Sequence, residues 1–116
     1  MINDEKVQAL QLSWVEQGAD SDIGLWWVAE DIRQTMPGAS EKEIRSETLR
    51  VLRPVLKSGT LRAVDLLPGG HFQPWAGSVE EQLARIDQEW AQLEAPPSLG
   101  DIVWFIGPRQ QQPTRD

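Results

Sequence analysis

Residues able to do chemistry are few in this chain. Its one histidine, His71, stands directly after the glycine pair Gly69-Gly70. A multi-histidine metal site is therefore excluded, and any Ser-His-Asp triad would have to run through a turn residue. Groups must converge in space before one of them can act as a base, so the expected role for His71 is an exposed turn position. The chain has no cysteine, which removes disulfides, thiolate metal sites and a cysteine nucleophile. Its eighteen carboxylates follow neither EF-hand nor HExxH spacing. Pro68-Gly69-Gly70 is a turn rather than a phosphate cradle, because no Gly-Lys-Ser/Thr follows it. The expectation is a non-enzyme with no catalytic residues, no metal and no cofactor.

Charge is distributed unevenly. Residues 1–38 carry two basic and seven acidic side chains, a balance of −5. Residues 39–64 carry six basic and three acidic, a balance of +3, and residues 65–116 return to −5 with three basic and eight acidic. A basic centre sits between acidic flanks. Those flanks oppose the long-range attraction that supplies non-specific affinity for nucleic acid, and they favour a basic protein partner. Six tryptophans in 116 residues are the other unusual feature. Trp14, Trp90 and Trp104 lie on apolar stripes and are read as core. Core packing is also the first reading for Trp27 and Trp75, although a tryptophan left exposed is a common binding anchor. No series of aromatics interleaved with basic residues suggests a single-strand binder.

The elements that must position these groups are four helices and a few short strands. The first helix is expected over about Asn3 to Gln17, with Val7, Leu10 and Trp14 on one stripe and Gly18 as its stop. The second starts at Ser21 or Asp22 and ends before Pro37-Gly38. Its main stripe is Leu25, Val28, Ala29, Ile32 and Met36, with Ile23 and Trp27 on the far side and Trp26 between. If the first helix does not cover Trp27, an exposed aromatic patch results. The third segment opens with the capping box Ser40-x-x-Glu43. Ile44, Thr48, Val51, Leu52, Val55 and Leu56 share one arc, and Lys42, Arg50, Arg53 and Lys57 the opposite one. Glu41–Arg45 and Glu47–Arg50 are spaced for local ion pairs. Pro54 removes a backbone donor inside this segment, so a kink is expected, or a break that makes two shorter helices from residues 40–58. Gly59 marks the helix end.

Strands follow over 60–67 and 71–75, and a second capping box, Ser78-x-x-Glu81, opens the fourth helix. Its apolar positions Val79, Leu83, Ile86, Trp90 and Leu93 run at helical spacing. Pro96-Pro97 close that region, and DIVWFI, residues 101–106 with the apolar run Ile102–Ile106, reads as a short buried strand joining the hairpin's sheet. That apolar run is far shorter than the roughly 18 residues a membrane span needs. The N-terminal MINDEKVQALQL is charged from Asp4 and has no apolar stretch, so no secretory signal is expected and the expected location is the cytoplasm. Residues 1–107 are expected to form a single domain, and 108–116, polar with two prolines, a tail.

The stretch GLWWVAEDIRQTMPGASEKEIRSETLRVLRPVLKSGTLRAVDLLPGGHFQPW, residues 24–75, resembles the winged helix-turn-helix superfamily. TLRVLRPVLKSGTLRA (Thr48–Ala63) is similar to that superfamily's passage from third helix to strand. The resemblance implies an α+β fold: a small winged-helix-like domain of about four helices, a β-hairpin and a short C-terminal strand. It also implies DNA-facing positions at Arg45, Ser46, Thr48, Arg50, Arg53 and Lys57, with a wing tip at Gly69, Gly70 and His71. Three features depart from that pattern: Pro54 inside the would-be recognition helix, a wing tip without Arg or Lys, and the added helix and strand after residue 78.

Two functions follow as expectations. The first is a non-enzymatic intracellular protein-binding module, of which an immunity or antitoxin-type protein neutralising a basic, nuclease-like toxin would be one instance. Its contact set is Asp20, Asp22, Trp27, Glu30, Asp31, Glu80, Glu81 and Asp87. The alternative is a winged-helix DNA-binding transcriptional regulator acting through Arg45, Arg50, Arg53 and Lys57.

Overall fold

A computed structural model describes residues 2–108. Except for Pro108, the tail expected over 108–116 lies outside the described residues. The chain is α+β, with four helices and one four-stranded antiparallel sheet: α1 (Asp4–Asp20), β1 (Ile23–Gly24), α2 (Leu25–Thr35), α3 (Glu41–Ser58), β2 (Arg62–Leu67), β3 (His71–Pro74), α4 (Val79–Ala91) and β4 (Trp104–Ile106). The sheet runs in the order β1-β4-β2-β3, so the last strand of the chain lies between the first strand and the hairpin. β4 pairs Phe105 with Ile23 on one side and with Ala63 on the other.

α3 is the central helix, packed against α1, α2 and α4. The Ser40–Glu43 capping box forms as expected, and Gly59 ends the helix at φ 79°, a left-handed conformation that glycine adopts without the penalty a side chain brings. Between these ends the helix is one element, and Pro54 does not split it into a helix-turn-helix. An interior proline costs about 3 kcal/mol, and two things offset it. One face of α3 buries Ile44, Thr48, Leu49, Val51, Leu52, Val55 and Leu56, each large apolar side chain contributing roughly 1.5–3 kcal/mol. The backbone one turn before the proline also gains a tertiary bond, from Gln11 Nε2 of α1 to the Val51 carbonyl (2.9 Å). Thr48, expected among the DNA-facing positions, is fully buried and donates its hydroxyl to the Ile44 carbonyl (2.7 Å).

α1 continues to Asp20, beyond the stop expected at Gly18. Gly18 is the point where α1 crosses the end of β4: its carbonyl accepts the Gly107 N–H at 2.9 Å. α2 starts at Leu25, later than the Ser21 or Asp22 expected, because Ile23-Gly24 is taken up as β1. The core joins Trp14, Leu25, Val28, Ile32, Leu52, Leu61, Ile86, Trp90 and Phe105. Trp14 and Trp90 lie within it as expected, whereas Trp104 is only half-buried. Trp75 is buried too, its N–H on Asp65 Oδ1 (2.9 Å) and the Arg85 guanidinium 3.7 Å from its ring centroid.

One buried carboxylate ties the N-terminus down. Glu47 accepts the Ile2 N–H (2.8 Å) and the Arg50 Nε–H (2.8 Å). The hydrogen bond from Arg50 holds the Glu47 carboxyl below its ordinary value of 4.5, against the opposing effect of burial. A carboxyl whose folded value is depressed stabilises fully above its unfolded value and loses that contribution as pH falls through the folded one. Stability is therefore expected to drop below about pH 4.5 in the wild type and to drop less steeply in Glu47→Gln, with about 1.5–3 kcal/mol lost in that variant at neutral pH. Urea titrations of both proteins at pH 7 and pH 3.5 check this, and parallel pH profiles would count against it.

Candidate functional site

The sites expected from sequence fall into two regions. The first is the face between α3 and α4. Lys42, Arg45, Arg50 and Arg53 line an open groove of about 590 Å³ together with Glu80 and Asp87. α4 sets its carboxylates against these cations. Arg45 Nε reaches Asp87 Oδ1 (2.9 Å), and Arg53 makes a two-pronged contact with Glu80 (3.0 and 3.2 Å) that Lys57 Nζ joins at 3.0 Å. Hydrogen bonds from Lys57 and then Arg53 lower the Glu80 carboxyl from its ordinary value. Arg50 is held by Glu47 within α3, as its spacing implied. Glu41 does not pair with Arg45; it takes Arg33 of α2 (2.8 Å) and the Trp90 N–H (3.0 Å), joining three helices at the start of α3. Pairs this exposed each add little to stability, but together they neutralise most of the face. Glu81 closes the α4 capping box on Ser78, and the Ser78 backbone N–H holds its carboxyl below the ordinary value.

The second region is the corner where α1 ends, β1 passes and α2 begins. It carries Asp20 exposed, Asp22 half-buried, and then Trp26, Trp27, Glu30 and Asp31 on the first two turns of α2. Trp27 is 39% exposed, so core packing, the first reading for this residue, is corrected: α1 does not cover it. The reason lies in Asp31. Its Oδ2 accepts the Trp14 N–H at 2.8 Å, so α1 touches α2 one turn beyond Trp27 and leaves that ring open. Trp26 and Trp27 face each other at 5.8 Å between ring centroids and 57° between planes. With Glu30 and Asp31 they line a notch of about 250 Å³. Gly24 is needed beneath: a Cβ there would sit 2.6 Å from Trp26 Cδ1. The Trp26 indole N–H is buried without a hydrogen-bond partner, at a cost of about 1–3 kcal/mol.

Sequence reasoning omitted Trp26 from the site. The signal was present, since Trp26/Glu30 and Trp27/Asp31 are both i,i+4 pairs that share one side of a helix. The hairpin tip carries exposed His71 at the Pro68-Gly69-Gly70 turn, with Leu66 and Leu67 exposed beside it. Among the described residues no cluster of His, Asp or Glu could hold a metal ion, and no helix is long and apolar enough to cross a membrane. Compared with known proteins, the chain matches no family model, no curated protein and no solved structure.

Proposed function

We propose that this chain is a non-enzymatic protein-binding module that holds a basic partner at the α1–β1–α2 corner, an immunity or antitoxin-type protein facing a nuclease-like toxin being one instance. The observation that carries the reading is Trp27, a large aromatic side chain left 39% exposed on a helix where Glu30 and Asp31 follow and Asp20 and Asp22 precede. A rigid aromatic anchor supplies affinity, and surrounding like charge supplies orientation and speed of encounter with an oppositely charged surface. The α4 acids contribute less to this proposal than to the fold, because Glu80 and Asp87 already meet α3 cations and Glu81 caps its own helix. A cytoplasmic location belongs to the same proposal.

The scaffold is proposed to be winged-helix-like, with α3 followed by the β2–β3 hairpin as helix and wing and β4 filling the sheet between hairpin and β1. A DNA-binding regulator on that scaffold would need Arg45, Arg53 and Lys57 for phosphate, and those three are engaged with Glu80 and Asp87.

The test is affinity capture from the native host, followed by binding of the purified partner at several salt concentrations. The expected partner is basic, its affinity falls as salt rises, and Trp27→Ala weakens it about 30-fold. A protein partner indifferent to Trp27→Ala and to Asp22→Lys, or salt-sensitive duplex DNA binding lost in Arg53→Ala, would overturn the proposal.

A further inference from the structure

The notch between Trp26 and Trp27 has a chemistry more specific than acidity. The ring centroids stand 5.8 Å apart with the planes tilted by 57°, so the notch is mostly indole surface, and Glu30 and Asp31 complete its lining. Glu30 uses Oε1 for Arg33 and Asp31 uses Oδ2 for Trp14. Among the described residues no hydrogen bond reaches Glu30 Oε2 or Asp31 Oδ1, so each carboxylate beside the indoles keeps one acceptor without a donor. Indole faces attract cations through their quadrupole. Unfilled carboxylate oxygens favour a cation that also brings N–H groups, which a guanidinium does with five donors in a flat fork.

The same molecule already contains this arrangement closed on itself. The Arg85 guanidinium lies 3.7 Å from the centroid of the Trp75 ring, with its Nε 2.7 Å from Glu89 Oε2. An indole face and a carboxylate there hold a guanidinium. At the Trp26–Trp27 wedge the indole and carboxylates are present, and Arg33, the arginine beside them among the described residues, is shared between Glu30 and Glu41.

We infer that the Trp26–Trp27–Glu30–Asp31 notch is a receptor for one arginine side chain of the basic partner. The inference rests on the protein-binding reading for its biological setting, but its chemistry can be tested without the partner. The probe is N-acetyl-arginine amide, titrated into the ¹⁵N-labelled protein while the indole N–H resonances of Trp26 and Trp27 are followed. Parallel titrations use N-acetyl-lysine amide, tetramethylammonium chloride and sodium chloride at equal ionic strength.

Saturable movement of the Trp26 and Trp27 signals is expected at millimolar arginine amide, at least threefold tighter than with the lysine analogue. It should weaken about tenfold in Trp27→Ala, followed through Trp26, and weaken clearly in Glu30→Gln. Both substitutions lie on the exposed side of α2, and an unchanged dispersion of the other four indole signals confirms folding. Equal shifts with sodium chloride, tighter binding of tetramethylammonium, or indifference to Trp27→Ala would overturn the inference. A captured basic partner without any arginine response removes the notch and leaves the module. An arginine response without any captured partner supports the notch and removes the module.

Discussion

Trp14→Ala is expected to cost the fold about 3–5 kcal/mol, the largest loss from any single side chain considered. Trp14 of α1 is fully buried, and its indole N–H lies 2.8 Å from Asp31 Oδ2 of α2. Truncation opens a cavity in the core and strips a half-buried carboxylate of its donor. A domain of this length has a total stability of roughly 5–15 kcal/mol, so the variant should melt at least about 10 °C lower. Trp14→Phe separates the two losses: it keeps most of the apolar volume and gives up the hydrogen bond, for about 1–3 kcal/mol. Urea unfolding followed by circular dichroism measures both. A Trp14→Ala protein within 1 kcal/mol of wild type would mean that α1 does not anchor on α2 as described. The consequence reaches the surface as well. Asp31 links the core to the notch, so Trp14→Phe should alter the arginine response without altering any residue the ligand touches.

Gly18 provides the second large effect, and here two tendencies compete. An alanine inside a helix is favoured over glycine by about 1 kcal/mol, so Gly18→Ala would be stabilising if the position were open. It is not open. A Cβ at Gly18 would overlap the Leu61 Cδ2 methyl, so the fully buried Leu61 side chain would have to shift to admit it. Gly107 answers from the other side, where a Cβ would stand 3.0 Å from the Gly18 carbonyl oxygen. Overpacking of this kind costs about 1–3 kcal/mol, which exceeds the propensity gain. Gly18→Ala is expected to be destabilising overall and Gly18→Val more so, with the N–H of Gly107 losing protection from hydrogen exchange. A stabilised Gly18→Ala protein would show that the propensity gain prevails.

That glycine also illustrates what could be read in advance. A glycine near the end of an amphipathic stretch looks like a helix stop, yet its purpose is close contact with β4, nearly ninety positions along the chain. Local rules have no access to such contacts. They served well where the information was local: the Ser40–Glu43 and Ser78–Glu81 capping boxes placed the starts of α3 and α4, and Glu47 pairs with Arg50 one turn away. They missed β1, because two residues, Ile23 and Gly24, carry no periodicity and become a strand only through β4. Among site residues, the phase of α2 put Trp27 away from the main stripe, and its exposure follows from that. The cross-helix pairs Arg45–Asp87 and Arg53–Glu80 depend on how α4 docks against α3, so their cations looked available when read one helix at a time.

The order of the sheet has one more consequence. Its two outer strands are the two-residue β1 and the four-residue β3, and β3 ends in Pro74, which has no N–H to offer. An open sheet edge is normally a template on which another chain can add a strand, and short length and proline are the usual defences. By placing β4 inside the sheet, the fold keeps Trp104 and Phe105 of one of its most apolar segments paired on both sides, and leaves only stubs facing outward. The domain can thus display exposed leucines on its hairpin and tryptophan at its acidic corner while denying a second copy the backbone rail that self-assembly into fibrils would require.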